Sequence, residues 1–341
     1  MSAEVSNLLG LKKADYTGGK STLCTGCGHD SITNHIITAF FQSGVDPYKV
    51  AKLSGIGCSS KTPAYFLGTS HGFNTIHGRM APVATGVNMA IKDQILIGVS
   101  GDGDTASIGL GSFAHMVRRN VRMIYIVENN GVYGLTKGQF SATAEAGSKL
   151  KNGYTNTTAG IDLCSLALEL GATFVARSFS GDGKQLVPLL NMAIRHQGTA
   201  FIDVISPCIT FANHEGSSRS FDAVKTNNVQ LQELGFYQPQ QEIKVDYSEG
   251  ATQTVKLPDG AQITLRKLVA GDHDIQRRDL ALQRLQESRA KGEFLTGLLY
   301  WDRNSKPLTD QMNLVDQPLR DLGEETRPSL EALEEMLGRF A

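Results

Sequence analysis

Apolar runs that end in polar, glycine-bearing loops constrain the fold of this chain more than any other feature. Residues 94–100 (QILIGVS) run into 101–104 (GDGD), and residues 123–127 (MIYIV) run into 128–131 (ENNG). A third run, 200–205 (AFIDVI), ends at SPC. Short, almost continuous apolar runs are typical of strands that are covered on both faces. The order strand, loop, helix, strand therefore predicts an α/β fold, in which helices flank a parallel sheet with right-handed crossovers.

Length and charge exclude several classes of protein. The chain has 341 residues, with 33 Lys and Arg against 34 Asp and Glu, which gives a net charge of −1. This balance argues against a general nucleic-acid or membrane-surface binder, because no excess of positive charge would attract phosphate groups. No apolar run approaches the ~18–20 residues needed to span a bilayer, and the N-terminus lacks a secretory pattern. We therefore expect a cytoplasmic protein, whose five cysteines are thiols or metal ligands.

The composition changes after Phe221, and we place a domain boundary there. Residues 1–222 form the predicted α/β domain, and residues 223–341 form a C-terminal extension. Within the extension, residues 255–265 alternate like an edge hairpin around Pro-Asp-Gly, and 279–290 have a charged, helical pattern. A last helix is expected to begin at Pro328, with four apolar residues on one face. Those four are Leu330, Leu333, Met336 and Leu337. The extension is expected to pack on the domain and on a partner subunit.

Polar side chains follow two of the predicted strands. Asp102 follows the first strand and Asn130 follows the second. Because neighbouring parallel strands end at the same edge of a sheet, this pattern brings one carboxylate and one amide oxygen together. With the backbone carbonyl of Val132, they would form half of the octahedral oxygen set that Mg²⁺ prefers. The pattern resembles that of thiamine-diphosphate enzymes. The alternative is that GDGD is an ordinary turn and NNG a hairpin corner.

Four of the five cysteines lie in loops that contain glycine or proline. Cys24 and Cys27 form a CxxC pair, Cys58 follows Gly-Ile-Gly, and Cys208 follows proline. Cys164 lies on an apolar helical face, and we interpret it as a core residue. A c-type haem would need CxxCH, and a thioredoxin-like pair would need neither of the two distant cysteines. Zinc and a 4Fe–4S cluster both bind four thiolates, and the residues by themselves do not choose between them.

Seven segments together resemble a known family. In chain order they read CTGCGH, SGIGCSSK, IHGR, GDGD, RRN, ENNGVYGLTKGQ and SPC. This series is similar to the β subunit of 2-oxoacid:ferredoxin oxidoreductases, above all to that of 2-oxoglutarate:ferredoxin oxidoreductase, over residues 16–222. The resemblance implies a thiamine-diphosphate-binding fold. It also implies an enzyme that converts a 2-oxoacid and coenzyme A into acyl-CoA and CO₂ and passes electrons to ferredoxin.

The resemblance also implies a role for individual residues. One 4Fe–4S cluster would be held by Cys24, Cys27, Cys58 and Cys208. Mg²⁺ would be held by Asp102, Asn130 and Val132, and all seven residues lie within the first domain. Thiamine diphosphate would be lined by Ile56, Gly57, Cys58, Ser59, His77, Asp102, Gly103, Asp104, Asn130, Val132, Gly134 and Leu135. Glu128 precedes the Asn pair at a position where members of the family vary, and this departure is expected not to matter.

Two lysines bear on the substrate. Pyruvate-type relatives tend to read YMNTGIQ where this chain reads YGLTKGQ, so that Lys137 is added here. Lys61 follows Cys58 in the first cofactor loop. A second carboxylate on the substrate would pair with such ammonium groups, and a monocarboxylate would leave them unpaired. We therefore expect 2-oxoglutarate as substrate and succinyl-CoA as product, in either direction. The alternatives are a pyruvate or broad-specificity enzyme, and two solvated surface lysines. His77 is expected to touch cofactor or substrate.

One residue that thiamine catalysis needs, a glutamate, is absent from the motifs of this chain. The cofactor needs a glutamate against its aminopyrimidine ring, which thiamine enzymes take from a separate domain. We expect an α subunit to supply it, with the coenzyme A contacts, in an αβ or α₂β₂ assembly. The competing interpretation from another class is a Cys₄ zinc-binding protein with purely structural GDG and NN loops.

Overall fold

The structure is a computed structural model that describes residues 6–136, 138–149, 153–208, 243–256, 262–318, 321–323 and 328–340. Eleven strands are found in these ranges. They are β1 Val50–Ser54, β2 His71–Asn74, β3 Ile95–Gly101, β4 Met123–Asn129, β5 Val132–Tyr133, β6 Gln139–Phe140, β7 Phe174–Phe179, β8 Thr199–Ile205, β9 Thr252–Lys256, β10 Gln262–Lys267 and β11 Glu293–Trp301. Strands β5 and β6 form a small ladder, and the other nine form one sheet.

The sheet is parallel over its first six positions. Its order is β2-β1-β3-β4-β8-β7-β11-β10-β9, and every pair from β2 to β7 runs parallel. The three apolar runs of the sequence are β3, β4 and β8, which are neighbours in this order. The predicted parallel sheet is therefore confirmed, and the three polar loop ends meet at one edge of it.

Helices cover both faces of the sheet. The α-helices of the described ranges are α1 Gly28–Ser43, α2 Met80–Ala90, α3 Leu110–Arg118, α4 Leu163–Glu169, α5 Gly183–Arg195, α6 Arg278–Ala290, α7 Leu308–Gln311 and α8 Leu330–Gly338. Helices α1 and α5 enclose one core, and α2, α3, α4 and α6 enclose the other. In the described part of the chain, no helix combines the length and the apolar character needed to cross a bilayer.

The position of strand β4 between the two cores explains why its sequence is continuously apolar. Met123, Tyr125 and Val127 point into one core, whereas Ile124 and Ile126 point into the other. Since successive strand residues face opposite sides, a strand between two helix layers needs apolar residues at every position. Each fully buried side chain of this size contributes about 1.5–3 kcal/mol. The sheet therefore gives a rigid base to the end of β4 and to the loop that follows Asn129.

The C-terminal segment extends the same sheet. Strands β9 and β10 pair antiparallel at its edge, where the alternating pattern predicted a hairpin, and the turn between them lies outside the described residues. Strand β11 pairs antiparallel with β7 and parallel with β10. The boundary at 222 also lies outside the described residues, so the division 1–222 and 223–341 stays a prediction.

Candidate cofactor and metal site

A cavity opens at the carboxyl ends of β1, β3 and β4. All twelve residues expected to line thiamine diphosphate line this one cavity, together with Gly101, Tyr133 and Thr136. The chain leaves β3 in a π-helical turn, Gly103–Ile108, and leaves β4 through the short β5–β6 ladder. Such irregular turns at strand ends often mark functional sites. Strand order therefore gathers loops that are far apart in sequence around one cavity.

Asp102 is buried at the floor of this cavity. Its carboxylate accepts hydrogen bonds from the hydroxyl of Thr143 at 2.5 Å, from the backbone N–H of Gly131 at 3.1 Å, and from the Ser141 hydroxyl. Burial nevertheless raises the pKa of Asp102 above its ordinary value. Among the described residues, no cationic side chain pairs with it. Because a buried carboxylate is destabilising without a cation, the site fits a bound metal ion.

Asn130 lies beside Asp102. Its backbone N–H is 3.4 Å from Asp102 Oδ1, and its own Oδ1 accepts a hydrogen bond from the N–H of Val132 at 3.1 Å. An amide oxygen has a second lone pair, so this contact leaves one for a ligand. Carboxylate, amide and carbonyl oxygens are the hard donors that Mg²⁺ selects. The set predicted from sequence is thus gathered in one place and is chemically suited to Mg²⁺.

The glycines of the GDG motif are required by the packing around them. A Cβ at Gly103 would lie 2.5 Å from the Tyr133 ring, and a Cβ at Gly101 would lie 2.8 Å from Ser59 Oγ. Both contacts are closer than any side chain allows. This requirement was not predicted from the sequence, and it comes from the protein's own packing rather than from a ligand.

The four loop cysteines lie near one another. Cys58 and Cys208 sulfurs are 3.4 Å and 3.8 Å from the position a Cβ would take at Gly134. Burial raises the pKa of Cys27 far above its ordinary value and that of Cys58 to about 11. In both cases the charges of Cys208 and Cys24 add to the effect. These thiols would therefore stay neutral near pH 7 unless a metal compensates.

The spacing of these sulfurs bears on the kind of metal group. In the part of the chain that is described, no three His, Cys, Asp or Glu side chains are close enough to bind one metal ion. A zinc site needs four ligands on one ion, with Zn–S distances of about 2.3 Å. An iron–sulfur cluster instead binds each thiolate through a different iron, which requires wider spacing. Both groups need deprotonated thiolates from several loops, and these buried cysteines are deprotonated only when a metal compensates their charge.

The fifth cysteine lies elsewhere. Cys164 is fully buried in α4, with its sulfur 3.7 Å from the Ala176 carbonyl. The charges that act on it belong to Arg177, Asp203 and Asp162, and not to the other cysteines. It is a core residue, as the apolar pattern around it predicted.

A buried polar cluster beneath the cysteine loops was missed in the sequence. Glu128 is fully buried and accepts hydrogen bonds from Thr62. His29 Nδ1 lies 3.5 Å from Glu128 and 2.8 Å from Ser206 Oγ. Thr62, His29 and Ser206 each belong to a segment that carries a cysteine. The expectation that the family departure at Glu128 does not matter took no account of this buried position. The one available signal was a carboxylate at the end of a buried strand.

The two lysines and His77 differ in placement. His77 lines the cavity, and its Nδ1 lies against Asp104 Oδ1. Lys61 is half-buried in the 3-10 helix Ser59–Ala64 and is not among the described residues that line the cavity. Its charge acts on the Cys58 thiol instead. Lys137 lies outside the described residues.

Comparisons with known proteins agree with this geometry. Residues 55–204 match the family model described as thiamine pyrophosphate enzyme, C-terminal TPP binding domain. The parallel sheet and its cavity thus define the thiamine-diphosphate-binding fold, as predicted.

Individual relatives identify the family within the thiamine pyrophosphate enzymes. A 2-oxoacid:ferredoxin oxidoreductase subunit beta from a Sulfolobus species is 43% identical over 199 residues, which are 58% of this chain and 65% of that protein. The 2-oxoglutarate synthase subunit KorB of Methanocaldococcus jannaschii is 37% identical over 213 residues, which are 61% of this chain and 78% of that protein. The chain spans 65% and 62% of the first two curated relatives it matches.

A solved structure extends the likeness to most of the chain. It is a 2-oxoglutarate:ferredoxin oxidoreductase from Magnetococcus marinus, with 2-oxoglutarate, coenzyme A and succinyl-CoA bound. It is 29% identical, with a TM-score of 0.69, and the match covers 93% of this chain and 97% of that one. The chain belongs to the family of 2-oxoacid:ferredoxin oxidoreductase β subunits, which confirms the resemblance of its motifs.

Proposed function

We propose that this chain is the β subunit of a 2-oxoglutarate:ferredoxin oxidoreductase. It works with an α subunit and, with coenzyme A, converts 2-oxoglutarate into succinyl-CoA and CO₂, or catalyses the reverse. Electrons pass through one 4Fe–4S cluster to ferredoxin. The observation that carries this proposal is that Cys58 both lines the cavity and lies near Cys208. One residue thereby joins a thiamine site to a thiolate cluster site.

Three residues of the cavity are proposed to hold the metal ion that binds the cofactor. Asp102, Asn130 and the Val132 carbonyl hold Mg²⁺, which binds the diphosphate. When bound, thiamine diphosphate would supply a nucleophilic carbon and an electron sink for the decarboxylation of a 2-oxoacid. The Asp102 carboxylate contributes the negative charge that holds the ion. Burial raises the pKa of Asp102, and a bound cation would lower it again and keep the carboxylate ionised.

The cysteines provide the route by which electrons leave. Cys24, Cys27, Cys58 and Cys208 hold the cluster, and Cys58 is the member that faces the cavity. Cys24 is the exposed member, so the acceptor, ferredoxin, approaches from that side. A single zinc ion is the competing group. It would bind the same thiolates but could not carry electrons, because Zn²⁺ has no redox chemistry.

Specificity for 2-oxoglutarate rests on the lysines. Lys61 lies three residues after Cys58, which lines the cavity, and would pair with the substrate's second carboxylate. Lys137 is proposed for the same role from its place in the sequence alone. A monocarboxylate such as pyruvate would leave these charges unpaired, which is the kind of difference that discriminates strongly. The names of the relatives from Methanocaldococcus jannaschii and Magnetococcus marinus support this substrate.

An α subunit would cover the cavity and supply the glutamate and the coenzyme A contacts, in an αβ or α₂β₂ assembly. Exposed apolar side chains support such a partner surface: two of them line the cavity (Ile56 and Leu135), and Ile76 and Ile108 lie next to it in sequence. Ile56, Ile76, Ile108 and Leu135 are 37%, 75%, 44% and 52% exposed. Clusters of exposed apolar residues commonly mark protein interfaces. A cytoplasmic location stays a prediction from the sequence.

Anaerobic purification of the chain with its α subunit tests the proposal. We expect a brown protein whose absorption bleaches on reduction, with iron and acid-labile sulfide in equal amounts. It should reduce ferredoxin only when 2-oxoglutarate and coenzyme A are both present. A colourless protein that contains zinc would overturn the cluster assignment. Full activity of the β chain without its partner would overturn the split site.

A further inference from the structure

The two oxygens of the Asp102 carboxylate have different surroundings. Oδ2 accepts hydrogen bonds from the Thr143 hydroxyl at 2.5 Å, from the Gly131 N–H at 3.1 Å and from the Ser141 hydroxyl. From the described residues, Oδ1 accepts one long hydrogen bond, from the N–H of Asn130 at 3.4 Å. Since each carboxylate oxygen has about two lone pairs, the protein saturates Oδ2, and Oδ1 retains a lone pair for a further partner.

The two oxygens also face different sides of the loop that follows β4. Asn130, the partner of Oδ1, lines the cofactor cavity. Of the described residues that line this cavity, none is a donor to Oδ2. Thr143 and Gly131 line instead a neighbouring cavity, which Asn130 also borders. The Asp102 carboxylate therefore turns Oδ2 toward the protein and Oδ1 toward the space in which the diphosphate would bind.

The Thr143 hydroxyl is itself anchored by polar contacts that cross the sheet. Thr143 Oγ1 lies 3.1 Å from Asn129 Oδ1, and Asn129 Nδ2 donates to Asp203 Oδ1 at 3.1 Å. Asp203 Oδ2 in turn accepts from Arg177 Nε at 2.9 Å. Because a carboxylate paired with arginine only accepts hydrogen bonds, the Asn129 nitrogen faces Asp203 and its oxygen faces Thr143. The first Asn of the NN motif, which is not a proposed metal ligand, thus fixes the side on which Thr143 lies.

We propose that Ser141 and Thr143 are positioning residues, whose hydroxyls turn the Asp102 carboxylate so that Oδ1 faces Mg²⁺. This inference rests on the proposed function. A carboxylate that could rotate would present either oxygen or both, which suits poorly a small ion that demands a near-octahedral set of ligands. Loss of an outer partner of a metal ligand typically lowers metal affinity about 10- to 100-fold. The two hydroxyls, rather than the bulk of their side chains, therefore set the Mg²⁺ requirement.

Calorimetric titration of the complex with the α subunit, with thiamine diphosphate at a series of Mg²⁺ concentrations, tests the role of Thr143. Thr143→Val removes the hydroxyl and keeps the shape. We expect the Mg²⁺ concentration for half-maximal thiamine binding to rise on the order of 10- to 100-fold, and the natural thiamine affinity to return at saturating Mg²⁺. Thr143→Ser keeps the hydroxyl and should keep the natural Mg²⁺ requirement. Thr85→Val is the matched control, since Thr85 is also half-buried and donates to the Ala81 carbonyl of its own helix at 2.9 Å.

An unchanged Mg²⁺ requirement in Thr143→Val, or an equal rise in Thr143→Val and Thr143→Ser, would overturn the proposal. So would a loss of thiamine binding that saturating Mg²⁺ does not restore, because Thr143 would then only support the fold. If Thr143→Val does not fold, Ser141→Ala decides by the same titration, in which a raised Mg²⁺ requirement supports the proposal and an unchanged one overturns it. A wild-type complex that binds thiamine diphosphate with Mg²⁺ and oxidises no 2-oxoacid would end the proposed function, and the titrations would still decide the role of the two hydroxyls.

Discussion

The hydroxyl of Thr62 lies 3.0 Å from Glu128 Oε2 and 3.2 Å from Oε1, in a position that is closed to solvent. This contact joins the segment after Cys58 to the end of β4. Burial raises the pKa of Glu128 well above its ordinary value and lowers that of His29, beside it, to about 4. The two groups meet in a desolvated pocket, so their hydrogen bonds are worth more than they would be in water. The protein thus brings the cysteine segments together through its own polar core.

Thr62→Val removes the donor to Glu128 and keeps the shape of the side chain. We expect the free energy of unfolding to fall by about 1–3 kcal/mol, because a buried carboxyl group loses its partner. The bound cluster should also be lost faster to an iron chelator. Urea denaturation and the decay of visible absorption measure the two effects. Thr38→Val is the matched control, since the bond from Thr38 to the Asn34 carbonyl is exposed. Equal losses in both variants would contradict the role of Thr62.

His196 should make the stability of the chain depend on pH. Burial lowers its pKa from 6.5 to about 4, and its Nδ1 accepts a hydrogen bond from Trp301 Nε1 at 3.2 Å. Its Nε2 lies 2.7 Å from Thr173 Oγ1. The unfolded chain binds the proton more readily, so stability is full above pH 6.5 and is lost as pH falls toward 4. A shift of this size corresponds to about 3 kcal/mol.

Fluorescence of the single tryptophan, Trp301, measures this dependence in urea titrations at several pH values. His196→Gln should be less stable at pH 7 and should show a smaller decrease between pH 6.5 and pH 4. His29 contributes in the same direction and remains in the variant, so a part of the decrease persists. An unchanged slope would show that His196 is not its source.

Asp102→Asn should make the metal-free chain more stable and should weaken the binding of thiamine diphosphate. Burial raises the pKa of Asp102, so the ionised carboxylate destabilises the fold at neutral pH. Without metal, the variant should therefore unfold at a higher urea concentration than the natural chain. Mg²⁺-dependent binding of thiamine diphosphate, measured by calorimetry, should weaken by more than about 100-fold, beyond the usual effect of losing an outer partner. Binding that is retained would contradict the proposed metal ligand. Asp93→Asn should change neither quantity.

Lys61→Met should change the choice of substrate. We expect the ratio of kcat/KM for 2-oxoglutarate over pyruvate to fall on the order of 10- to 100-fold, because a charge that pairs with the second carboxylate is lost. Lys49→Met, at an exposed position, should leave the ratio unchanged. The measurement is initial rates across both 2-oxoacids in the complex with the α subunit. An unaltered preference would remove Lys61 from the specificity argument.

The last helix, α8, should be required for assembly. Its apolar residues Leu330, Leu333 and Met336 are 77%, 41% and 53% exposed, although its sequence has the pattern of a packed helix. Leu330→Asp with Met336→Asp should leave the unfolding of the isolated chain unchanged. Sedimentation of the mixture with the α subunit should show less complex. Substitution of Glu334, an exposed residue of the same helix, by Gln is the control. Normal assembly of the double variant would exclude α8 from the contact.

The sequence by itself determined the parallel sheet and the position of the cavity. Buried strands reveal themselves as continuous apolar runs, and parallel strands end at one edge, so Asp102 and Asn130 could be paired without coordinates. The loop cysteines could be separated from Cys164 for the same reason, because apolar periodicity distinguishes a helix face from a loop.

Only the tertiary structure decided how side chains from distant loops meet. The contacts of Glu128 with Thr62 and of Asp104 with His77 join loops that follow different strands, and no local pattern encodes them. Lys61 lies in a short 3-10 helix, where its charge acts on the Cys58 thiol, and no local pattern predicted that effect. Strand β11 joins the sheet beside β7, far from it in sequence. Periodicity specifies which face of an element is buried, whereas strand order and loop direction, which depend on the whole packed core, specify what that face contacts.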